Sequence, residues 1–217
     1  MSSWIFVLFI AIFVAAVAAS FMLERRRTEA IKQLADTLGF DYCEHPQTHL
    51  PNTIWRFNLF NKGRGRRLKN LIQGSQDGVR VSIGEYKYTQ GTQKNRHTHW
   101  QTVVFMESDR LNLPSFLLIP ENLFHKIGTL FGCQDINFDA YPEFSSLYVL
   151  KGSDEEDIRQ RFHDGVLHFY QNHPRMSTEG AGPMFIYYRS NRRMQLSSWQ
   201  SLLNEAMEAY EQFSQQV

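Results

Sequence analysis

An α+β fold, antiparallel sheet with packed helices behind one N-terminal transmembrane helix, follows from three observations. Trp4 to Leu23 is an unbroken run of 20 apolar or small residues, with no charged side chain before it and Glu24-Arg25-Arg26-Arg27 after it. Between residues 54 and 106 strand formers are dense and broken by Gly- and Asn-containing turn signals. Helical spacing recurs at 28–38 and in several stretches after 121, and the two patterns do not alternate as βαβ units, which points to an antiparallel sheet.

At about 1.5 Å per residue, a helix over the apolar run reaches roughly 30 Å, the thickness of a bilayer's hydrocarbon core. The rival reading is a cleaved signal peptide, because Ala16-Val17-Ala18 resembles a small-residue cleavage site. Such a peptide wants a positive leader and a shorter apolar stretch, and here the arginines lie on the far side. Three arginines after the helix, and only the amino terminus before it, put the N-terminus outside the plasma (inner) membrane and residues 24–217 in the cytoplasm. The expected organisation is a signal anchor over 1–23, a juxtamembrane helix over 24–39 and a cytoplasmic α+β domain over 40–217. A division into two lobes would fall near 121–135. Cys43 and Cys133 carry no CxxC pattern and no cationic neighbours, so both are expected to be reduced, buried thiols.

Along the cytoplasmic part, Ala30, Ile31, Leu34, Ala35 and Leu38 predict a helix continuing from the membrane and stopped by Gly39. Strands are predicted over 54–60, 68–73, 79–88 and 99–106, as an antiparallel meander. Val79, Val81 and Ile83 alternate with Arg80 and Ser82, so one face of that strand points to a core. Pro114 and Pro120 bracket a short strand at 115–119, followed by a helix over 121–131 ending near Gly132. Strands at 136–138 and 147–150 precede a helix through Ile158, Phe162, Val166 and Phe169, opened by a Ser153/Glu156 capping box and ended by Pro174. A hairpin is expected over 176–189 around Gly180-Ala181-Gly182. Ser197 or Ser198 then caps a final helix whose stripe is Trp199, Leu202, Leu203, Ala206, Met207, Tyr210 and Phe213.

Several stretches carry a family likeness: Asp77-Gly78-Val79-Arg80-Val81, Glu85-Tyr86-Lys87-Tyr88-Thr89, Gln101-Thr102-Val103-Val104, and Leu113-Pro114 leading to Pro120-Glu121. In these the chain resembles a family of uncharacterised bacterial single-pass membrane proteins. The resemblance implies an anchored domain with no assigned activity and transfers no catalytic residues.

Composition and motifs narrow the function classes. With 23 basic against 22 acidic residues the chain lacks the strong positive charge of a dedicated nucleic-acid binder. No GxSxG, HExxH, GxGxxG or P-loop pattern occurs. Lys62, Arg64, Arg66, Arg67 and Lys69, interleaved with Gly63 and Gly65, are expected to form a basic loop. That loop either guards a sheet edge or contacts anionic lipid headgroups, where each cation near a negative leaflet is worth about 1 kcal/mol. Cys43, His45 and His49, with His97 and His99 two apart on one strand face, offer metal-ligand chemistry if the groups meet in space. His163, His168 and His173 recur every five residues and so spread around a helix. Asp154, Glu155, Glu156 and Asp157 fall where a helix dipole favours negative charge.

These features predict a membrane-anchored binding or scaffold module. Its expected partners are the membrane through one helix, an unknown protein, and an anionic lipid surface, with no cofactor. The alternatives are a hydrolase or metal-dependent enzyme using His97 and His99, and nucleic-acid binding through 62–69 with Tyr86 and Tyr88 for stacking.

Overall fold

The computed structural model describes residues 3–44, 46, 52–92, 94–124 and 135–215. The first helix, α1 (Ser3–Leu38), is uninterrupted over 36 residues and turns at Gly39 into the short strand β1 (Asp41–Cys43). From Trp4 to Leu23 it is exposed throughout, whereas Ile31 and Ala35 are fully buried, so one helix is a bare apolar rod at one end and a core element at the other. The apolar half is long and apolar enough to cross a membrane.

Residues 54–60, expected as a strand, instead form a one-turn 3-10 helix (Asn52–Arg56) and the short helix α2 (Asn58–Asn61). Ile54, Phe57, Leu59 and Phe60 are the buried residues, a spacing that fits turns of helix better than a period of two. The meander then runs through β2 (Arg64–Gln76), β3 (Val79–Gln90) and β4 (His97–Glu107). Asp77 and Gly78 both take positive φ between β2 and β3, the backbone of a two-residue hairpin turn matched to strand twist.

Next come β5 (Leu113–Pro120), α3 (Glu121–Phe124), α4 (Pro142–Leu147) and β6 (Tyr148–Gly152). The helix expected over 121–131 is described only to Phe124. No strand forms at 136–138; Ile136 instead donates its amide to the Leu150 carbonyl as a single bond. The helix expected from the Ser153/Glu156 box is two helices, α5 (Glu155–Arg161) and α6 (Asp164–Asn172). Asp154, not Ser153, is the cap, accepting the Asp157 amide at 3.0 Å, and His163 caps α6 by accepting the Gly165 amide at 3.1 Å. The hairpin β7 (Ser177–Gly182) and β8 (Met184–Tyr188) turns on Gly182-Pro183, with positive φ at the glycine, and α7 (Trp199–Ser214) closes the chain.

The eight strands among the described residues form one antiparallel sheet in the order β1-β2-β3-β4-β8-β7-β5-β6. One face is covered by α1, α5, α6 and α7, with Ile83, Val104, Phe116, Tyr187, Trp199 and Phe213 among the buried residues. The other is covered over its first half by the 52–61 strap, where Phe60 packs edge-on to Tyr86 at 4.6 Å. Burial of this apolar area on both faces, at roughly 25 cal/mol per Å², is the principal force holding the layers together.

Candidate membrane-proximal binding site

Alternation in β3 puts Glu85 on the same face as Val79, Val81 and Ile83, so a carboxylate stands at a core position. It is fully buried. Arg27 of α1 donates to it through Nε at 2.7 Å, and Arg193 donates twice, through Nε and Nη2, both at 2.8 Å. Asn70 donates through Nδ2 at 2.7 Å. Asn70 reaches inward because β2 carries an extra residue between Lys69 and Ile72, with Asn70 itself at positive φ. Its amide oxygen accepts from Thr28 at 3.2 Å.

Arg193 also bonds Glu24 at 2.5 and 2.9 Å and lies over the Trp100 ring at 4.5 Å, while Arg27 donates to the Met194 carbonyl at 2.7 Å. Two arginines and two carboxylates thus close a balanced cluster where α1 leaves its apolar run. Burial alone would raise the Glu85 carboxyl; Arg193, Arg27 and Asn70 outweigh it and hold the pKa below its ordinary value. Glu24 is likewise lowered by its bond to Arg193.

Beside this cluster a groove of about 1330 Å³ opens between α1 and β2. Phe13, Val17, Phe21 and Arg25 line it from the helix and Arg66, Arg67 and Lys69 from the strand, with Glu24, Glu29 and Glu44 as its carboxylates. Four of the five basic residues, Arg64, Arg66, Arg67 and Lys69, therefore belong to the start of a strand and not to a loop, while Lys62 follows the end of α2. Gly63 and Gly65 take positive φ, and a register shift between Arg64 and Arg67 lets β2 pair with β3 along this stretch. Among the described residues β1 pairs only with 71–73, so Arg64–Lys69 has no strand partner there on the side away from β3.

No family model and no curated protein matches the sequence. Among solved structures, the chain is similar to the mycobacterial trehalose monomycolate transport factor A, with a TM-score of 0.58 and 12% identity, over 86% of this chain and 92% of that one. At that identity the likeness is one of fold.

The structure separates the basic residues that sequence grouped. Arg66, Arg67 and Lys69 share the groove, although Arg66 spends one donor on the Phe60 carbonyl at 2.8 Å. Arg64 bonds the Gly91 carbonyl at 3.3 Å. Lys62 is half-buried at the end of α2 and lines a separate cavity of about 100 Å³ with Tyr88, His99 and Gln101. Burial lowers its ammonium pKa, against the pull of the Glu179 charge.

His97 and His99 do sit on β4, where His99 stacks on Tyr88 at 4.9 Å, but no group of three or more His, Cys, Asp or Glu with metal-holding geometry occurs among the described residues. His45, His49 and Cys133 lie outside the described residues. Tyr86 and Tyr88 are 1% and 4% exposed, so neither presents a ring for a base to stack on. Sequence grouping also missed Glu179, which is buried and accepts from the Asn58 and Leu59 amides and, at 2.9 Å, from Tyr188 Oη. It ties the strap to β7. Burial raises its pKa more than Lys62, Tyr188 and the two amides lower it.

Proposed function

We propose that this chain is a membrane-anchored binding module, a scaffold whose domain is held at a fixed attitude to the bilayer on the cytoplasmic side of the plasma membrane. The observation that carries the reading is the continuity of α1: the residues that would span the bilayer and the residues buried in the core share one helix without a hinge, pinned by the Glu85 cluster. A flexible tether would let the domain tumble; a helix welded to the sheet transmits position and angle. The structural neighbour is a transport factor, which fits an accessory role in a membrane assembly. The exposed basic side chains of Arg66, Arg67 and Lys69 beside the anchor support contact with an anionic leaflet. Membership of the bacterial single-pass family that the motifs resemble belongs to the same proposal.

The test has two parts. Alkaline extraction should leave the full chain in the membrane fraction, and a fluorescent reporter fused after Val217 should fold in the cytoplasm while an export-dependent reporter stays inactive. Photo-crosslinking residues at the exposed Trp55 and along the β2 edge should yield discrete adducts to a membrane protein. Extractable protein, an exported terminus, or a scan without adducts would overturn the reading.

A further inference from the structure

We infer that the groove between α1 and β2 binds one anionic phospholipid, with an acyl chain against Val17 and Phe21 and the phosphate against Arg67 and Lys69. The inference rests on the membrane-anchored reading and deepens it by naming a ligand.

The charge balance of the site calls for an anion. Arg67 stands directly opposite Lys87 in the β2–β3 register, and Lys69 lies two residues on, on the same face. Like charges across a ladder are unfavourable. Neither Arg67 nor Lys69 has a hydrogen-bond or ion-pair partner among the described residues, and the carboxylates nearby are engaged elsewhere. Glu85, opposite Lys69, serves Arg27 and Arg193; Glu24 serves Arg193; Glu29 pairs with Lys32 at 3.1 Å. Only Glu44 remains on the wall against Arg25, Arg66, Arg67 and Lys69.

The opposite wall selects the kind of anion. Val17 and Phe21 are exposed apolar residues of the stretch that crosses the bilayer, and they line the same groove as the cations. A soluble anion would leave that wall uncovered, and an acidic peptide would have to enter hydrocarbon to reach it. A phospholipid carries both chemistries in one molecule, with its phosphate where the helix changes from apolar to charged. Zwitterionic lipid offers the same chain but no net charge, so the site should discriminate by headgroup.

The experiment uses the full chain in nanodiscs of phosphatidylcholine containing phosphatidylglycerol, released into mild detergent and weighed by native mass spectrometry. One retained phosphatidylglycerol per chain is expected, with little phosphatidylcholine. The R67A/K69A variant removes two exposed cations without touching the core, and should lower occupancy roughly 30-fold, in a salt-sensitive way. V17W, which fills the apolar wall and keeps every charge, should also lose the retained lipid. Equal retention of both lipids, or unchanged occupancy in R67A/K69A with thermal melting as in the parent, would overturn the assignment. An exported reporter would sink the cytoplasmic setting while leaving this measurement intact, and an empty groove would leave the anchor intact.

Discussion

Glu85 sits at a position that β3 reserves for the core, and its buried charge is tolerable because four donors from three segments converge on it. Removing it leaves two arginines facing each other. Glu85→Ala should therefore cost about 3 kcal/mol in chemical denaturation, the low end for a broken buried pair because Arg27 and Arg193 keep some contact with water. Its lowered pKa gives the pH dependence a sign: the stabilisation is present above about pH 4.5 and lost as pH falls through the depressed folded value. Glu179 behaves in the opposite sense. Its folded pKa is raised, so its contribution is present below about pH 4.5 and lost as pH climbs through the raised value. The stability of Glu179→Gln relative to the parent should rise between pH 4.5 and 7, and flat denaturation midpoints for the pair across that range would disprove the shift.

Among the elements, α1 does two jobs with one hydrogen-bond ladder. Proline at Ala30 would remove a ladder bond between the Arg27 contact and Ile31, at a cost of about 3 kcal/mol. Spin labels on the apolar half of α1 and on the β2–β3 turn should then report a broadened distance distribution; a distribution as narrow as the parent's would mean that the helix is not the coupling element. The final helix is simpler. Leu202 is 1% exposed between Trp199 and Ala206 on the buried stripe, and Leu202→Ala should cost about 2 to 5 kcal/mol by loss of transfer energy and creation of a cavity.

For the whole molecule, the division of α1 into exposed and buried halves predicts how the chain tolerates truncation. Beginning at Glu24 removes residues that touch little of the domain and keeps Arg27, Ile31 and Ala35, so the melting temperature should stay within a few degrees of the parent. Beginning at Phe40 removes a core helix and one arm of the Glu85 cluster, and cooperative melting should be lost. A second truncation as stable as the first would show that α1 adds nothing to the domain.

Local patterns alone were enough for the long apolar helix, its continuation to Leu38, the meander from 68 to 106 and the stripe of α7, because each depends on spacing within a few residues. The period of two in β3 also held the signal for Glu85: extended past Ile83, it places a carboxylate among inward apolar residues. Residues 54–60 of the strap have the pattern of a strand because their aromatic residues suit either structure; packing on the sheet face made them helical. The run Lys62–Lys69 read as a loop because the effect of Gly63 and Gly65 on strand register depends on the partner strand. Tertiary structure alone brought Glu24, Arg27, Asn70, Glu85 and Arg193 together and set Arg67 and Lys69 against the apolar half of α1. These contacts join residues up to 169 positions apart, and no local propensity encodes a meeting across that distance.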